Sequence, residues 1–175
     1  AGTAVGLLIA LVGYIFPVVR YLQRSRAEGR NDLHTGNTLR RMLFGALISG
    51  ICLIGTWGAV QFAPSWAHEL SRNQPEIQST VRAYTQIWSG IGAIIGTMLG
   101  AWAGDLIGRR PTYALLCLLS FASAFALFKL TAGIDAFFFT MMFLTGATTA
   151  AFYGWIPLYL PELFPTRVRA TGQGF

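Results

Sequence analysis

Residues Ala83–Gly104 read AYTQIWSGIGAIIGTMLGAWAG, 22 positions without a charged side chain, closed by Arg82 on one side and Asp105 on the other. A helix rises 1.5 Å per residue, so this run covers roughly the 30 Å hydrocarbon thickness of a bilayer. A barrel strand would need only about 10 residues and would alternate in polarity, which this run does not. A helix also pairs its own backbone groups, as lipid requires. Within the run, Gly92, Gly96, Gly100 and Gly104 recur at steps of four. Such positions share one helix face. Small residues there let another backbone come close. The glycines therefore predict a close helix contact, either a static seam or one that slides between two states.

Four further charge-free runs lie to either side: Ala1–Val19, Met42–Ala67, Pro111–Phe128 and Ala136–Pro161. The predicted architecture is an all-α polytopic membrane bundle. Residues 1–22 form a first crossing, residues 23–41 a long polar connection, and residues 42–175 part of a second bundle. Helices are expected near 42–64, 83–104, 111–129 and 136–160, with another starting at 171. The start at Ala1 and the stop just after Thr171-Gly172-Gln173-Gly174-Phe175 suggest an excerpt of a longer protein.

Composition agrees with this map. Of 175 residues, 54% are hydrophobic and 11% charged, against roughly 25% charged in an ordinary soluble domain. The net charge of +6 does not point to nucleic acid, because the basic residues sit in short clusters between apolar runs. There they orient helices and can meet anionic lipid headgroups. Ten of the 13 Lys and Arg fall in three alternate connections, 20–41, 109–110 and 167–169, and three in the opposite ones. The richer side is expected to be cytoplasmic. That places Gln23–Arg41 on the cytoplasmic side of a cell membrane, either a plasma membrane or a bacterial inner membrane.

Polar side chains inside the runs are the candidate site. Gln61, buried in lipid without a partner, would cost several kcal/mol. It therefore faces a neighbouring helix or a watery cavity. Trp57, four residues earlier, can line the same cavity or simply pack, and Pro64 ends or kinks that helix. Thr145, Thr149 and Tyr153 form an i, i+4, i+8 line that can face a cavity, although threonines also bond back to their own helix. Tyr84 and Trp88 read as belt aromatics, Trp66 as an interfacial anchor. Gln86 and Ser89 are available for hydrogen bonds. Cys52 and Cys117 read as small buried hydrophobes. No metal-ligand spacing, nucleophile setting or cofactor motif occurs, and Gly104–Arg110 lacks the Lys-Ser/Thr ending of a nucleotide loop. Neither an enzyme nor a bound cofactor or metal is expected. No Asp, Glu or Lys lies mid-helix, so any proton-carrying carboxylate is expected elsewhere.

The connections carry a recognisable pair of motifs. Gly104-Asp105-Leu106-Ile107-Gly108-Arg109-Arg110-Pro111 resembles a hallmark loop of the major facilitator superfamily. Pro161-Glu162-Leu163-Phe164-Pro165-Thr166-Arg167-Val168-Arg169 resembles the hallmark after that family's tenth helix, in the form of its sugar-porter-like and metabolite:proton symporter-like branches. Gly55-Thr56-Trp57-Gly58 followed by Pro64 resembles their seventh helix. One position departs: Leu106 stands where the loop usually carries a base. The resemblance implies that the chain runs from the sixth helix to the start of the eleventh in a twelve-helix protein. It implies the missing first-half helices as partners. It also implies transport of a small organic solute, an organic acid, other metabolite or sugar, by alternating access, with proton symport open. Substrate contact would fall on Trp57, Gln61, Thr149 and Tyr153.

The motif residues have a physical reading. Asp105 ends its helix, where its charge opposes the dipole, so it needs compensation from Arg109, Arg110, Arg167 or Arg169. Glu162 can pair with the same arginines. Gly108 permits a tight turn. These residues could form a cytoplasmic gate, or the arginines could serve topology alone. A second functional class also fits the sequence, a receptor-like or scaffold membrane protein of this fold that does not transport.

Overall fold

The computed structural model describes residues 2–27 and 35–164, and these are helical apart from short connections. The elements are α1 (Gly2–Ala27), α2 (Thr35–Ala59), α3 (Ala63–Leu70), α4 (Pro75–Gln78), α5 (Val81–Leu106), α6 (Arg109–Leu130) and α7 (Ala136–Tyr159). Single 3-10 turns occupy Val60–Phe62 and Leu160–Leu163.

Among the described residues, four stretches are long and apolar enough to cross a membrane: Arg40–Leu70, Val81–Leu106, Arg109–Leu130 and Ala136–Leu163. In α1 the helix is long, but its apolar part stops at Pro17. The expected helix from 171 lies outside the described residues.

Helices also run past the limits set by charges. α1 continues to Ala27 and α2 begins at Thr35, so much of the expected 23–41 connection is helical. Arginine is a good helix former, and its long stem lets the charge leave the apolar zone. Between α2 and α5, the short helices α3 and α4 occupy most of the chain. Pro64 and Pro75 sit in the first turns of α3 and α4, where a missing N–H is harmless. Pro64 also marks the end of α2, which passes through the Val60–Phe62 turn before α3.

The chain divides into two compact units, residues 1–48 with 160–175, and residues 49–159. In the first, Arg41 donates from Nη1 to the Leu163 carbonyl at 3.1 Å. Gly45 lies under the Leu160 and Leu163 side chains.

In the second unit α7 is the central helix. Of its most apolar window 44% is buried, against 11% for α6. The α5–α7 contact is the most extensive of the bundle. It explains the glycine spacing: an added methyl at Gly92, Gly96 or Gly100 would overlap the carbonyl of Phe143, Ala147 or Ala151. The fit is reciprocal, with Gly146 and Gly154 of α7 against the Ser89 and Thr97 carbonyls of α5. Such approach gives dispersion contact that larger side chains would forfeit. Gly104, the fourth of the series, meets the Trp155 ring instead. At one end of the bundle, Ala63, Ala67, Val81, Leu127, Phe138 and Met142 form a closed apolar cluster. Trp66 packs on it, 5.2 Å from Phe128 and 6.0 Å from Phe138. Its ring is thus engaged in packing, where the sequence suggested an interfacial anchor.

Candidate functional site

Two places in the second unit gather the polar residues. The first is a cavity of about 930 Å³ between α2, α5 and α7. Trp57, Gln61, Thr149 and Tyr153 all line it. The four come from helices about 90 residues apart in sequence, and the structure brings them to one space. Gln61 lies in the 3-10 turn after α2 and lines the cavity from there. Tyr153 carries a buried hydroxyl with no hydrogen-bond partner among the described residues, a group that costs free energy until something bonds it. Thr149 is more constrained, since its Oγ1 donates to the Thr145 carbonyl of its own helix at 2.7 Å. It keeps only acceptor capacity for a visitor. Thr145 is fully buried and does not line the cavity, so the i, i+4, i+8 line reaches it through two members.

The wall from α5 was only half visible in the sequence. Gln86 and Ser89 line the cavity together with Ala93 and Thr97. Their spacing of three and four marks a second α5 face beside the glycine face, and that spacing is the signal that would have found Thr97. Its hydroxyl donates to the Ala93 carbonyl at 2.7 Å and to the Ala150 carbonyl of α7 at 3.2 Å. Thr56 does the same from α2, to Cys52 at 3.1 Å and Thr149 at 3.4 Å. The cavity walls are therefore tied to one another through α7 carbonyls.

The second place is the turn between α5 and α6. Gly108 has φ 98° and ψ 161°, a conformation essentially reserved for glycine. Thr112, fully buried in the first turn of α6, donates to Gly108 at 2.7 Å and Ala103 at 3.0 Å. Of the four arginines that could compensate Asp105, Arg109 does so, with Nη1 2.7 Å from Oδ1. Arg110 is exposed. Arg167 and Arg169 lie outside the described residues. Glu162 belongs to the other compact unit, in the 160–163 turn.

Trp155 of α7 lies directly beneath this turn. Its Nε1 donates to the Arg109 carbonyl at 3.0 Å. Arg41, read only as a topology charge, likewise holds the Leu163 carbonyl. Among the described residues, no group of three His, Cys, Asp or Glu could hold a metal ion.

Comparison with known proteins matches residues 2–175 to the family described as sugar (and other) transporter. A probable 4-methylmuconolactone transporter of Cupriavidus pinatubonensis is 29% identical over 130 residues, 73% of this chain and 29% of that protein. A synaptic vesicle 2-related protein of Xenopus laevis is 31% identical over 100 residues, 54% of this chain and 17% of that protein. Its counterpart in Rattus norvegicus is 29% identical over 92 residues, 50% of this chain and 16% of that protein. The chain spans less than a third of the length of the curated relatives it matches. No solved structure matches it.

Proposed function

Since the chain belongs to the sugar (and other) transporter family, we propose that it forms the cavity-bearing part of a transporter for a small organic solute. Its fold is the all-α, multi-pass bundle of the major facilitator superfamily. The observation that carries the functional reading is the convergence of Trp57, Gln61, Thr149 and Tyr153 on one cavity of about 930 Å³. That size falls in the range of roughly 300–1,000 Å³ that holds small molecules. Solute hydroxyls or carbonyls would bond the Gln61 amide and the Tyr153 hydroxyl, and Trp57 would cover an apolar face.

Transport would proceed by alternating access, two helical bundles rocking about a midplane site. The other bundle would come from first-half helices of the same protein, and α2, α5, α6 and α7 would be its seventh to tenth helices. The connection 23–41 and the Asp105 turn would be cytoplasmic, in a plasma or bacterial inner membrane. The Asp105–Arg109 pair would act as a gate that closes in one state and loosens in the other. The relative from Cupriavidus pinatubonensis is named for a lactone, which favours the metabolite branch over the sugar branch. Coupling would be to a proton gradient, with the titrating carboxylate outside the described spans.

The test is uptake into liposomes reconstituted with the full-length protein. Radiolabelled 4-methylmuconolactone and a hexose are compared, with and without an imposed pH gradient and without ATP. Lactone uptake driven by the gradient, weakened in Gln61→Ala and Tyr153→Phe, is the expected result. Saturable binding without flux would favour the receptor-like alternative. Absence of both would overturn the proposal.

A further inference from the structure

We infer that Trp155 is a positioning residue for the Asp105–Arg109 turn, acting through the Arg109 backbone. The indole is 1% exposed. A buried indole N–H needs an acceptor. Trp155 finds it 46 residues away, in the carbonyl of the first residue of α6, at 3.0 Å. The ring packs against two tyrosines. Tyr159 stacks at 4.6 Å and 23°, and Tyr113 lies at 5.0 Å. Its edge closes on Gly104, where a Cβ would come within 3.0 Å of Trp155 Cδ1. The last glycine of the α5 series thus makes room for this ring.

The geometry of the ion pair depends on that contact. Asp105 and Arg109 are four apart, but Ile107 and Gly108 break the helix between them. The reach of Arg109 to Asp105 is therefore set by how α6 leaves α5, not by a continuous helix. Thr112 pins the turn from inside, through the Gly108 and Ala103 carbonyls. Trp155 pins it from α7. Tyr153, two residues earlier on α7, lines the cavity. One helix therefore presents one residue to the cavity and another to the turn. The use of this link in gating rests on the transport reading above; the positioning role itself does not.

The experiment is hydrogen exchange of the full-length protein in lipid nanodiscs, read on peptides covering residues 105–113. Trp155→Phe keeps an aromatic ring and removes the N–H. Loss of one hydrogen bond should speed exchange there about 2- to 13-fold, with the melting midpoint of the protein unchanged. Gly104→Ala, which displaces the ring edge, should do the same and decides the matter if Trp155→Phe does not fold. Asp105→Asn should also speed exchange. The double variant Trp155→Phe/Asp105→Asn should be no faster than the faster single variant, because both act on one unit. Unchanged exchange in Trp155→Phe, or effects that multiply in the double variant, would overturn the inference. A protein that shows this exchange pattern but no uptake would sink the transport reading and leave the positioning role standing.

Discussion

The α5–α7 seam and the α5–α6 turn are both built from glycine and short polar side chains, and they are opposite in character. At the seam, backbone meets backbone, and glycines from each helix face carbonyls of the other. Sliding α7 by one turn would bring Ala150 to the place of Gly146 or Gly154, with a methyl against an α5 carbonyl. The interlock therefore supports a fixed seam over a sliding one. The turn is different. Asp105 is 64% exposed and pairs with Arg109, an arrangement worth little in static stability. What it offers is a contact that can be made and broken. Rigid packing holds the cavity walls together, and the adjustable charges stand at an exposed turn, where local opening is cheap.

The contrast predicts a graded series of substitutions. Gly96→Leu, placed against the Ala147 carbonyl, should lose the folded protein altogether, since overpacking costs about 1–3 kcal/mol or more. Gly90→Ala, with nothing within 4 Å of the new methyl, should leave folding unchanged. Folded yield and melting midpoint in detergent read both, and equal effects would mean the seam is not the rigid part. Gly108→Ala comes next, at about 1–3 kcal/mol for the positive-φ conformation. Its thermal unfolding should shift while the seam stays protected from hydrogen exchange. In the cavity wall, Gln61→Ala should raise the KM for a transported solute about 2- to 13-fold, the worth of one hydrogen bond, with an unchanged melt. Smallest in stability is Asp105→Asn, at under about 1 kcal/mol. Its transport rate should nevertheless fall, and a normal rate would remove the gate from the mechanism.

Charge-free length marked the apolar runs and the step of four marked the α5 face that meets α7, because lipid excludes charge and helical period is fixed locally. The same logic singled out Trp57, Gln61, Thr149 and Tyr153 as apolar-run residues needing a polar setting. Sequence could not say where helices stop in water, since arginine-bearing turns are helical or not according to neighbours. Nor could it choose α7 as the glycine partner, Arg109 among four arginines for Asp105, or the Arg109 carbonyl for Trp155. Periodicity reports which residues share a face and leaves open what that face meets. The pairings with α7 are long-range, 46 positions between Trp155 and Arg109, and even the Asp105–Arg109 pair, four positions apart, depends on how α6 leaves the turn; only packing of whole helices decides such contacts.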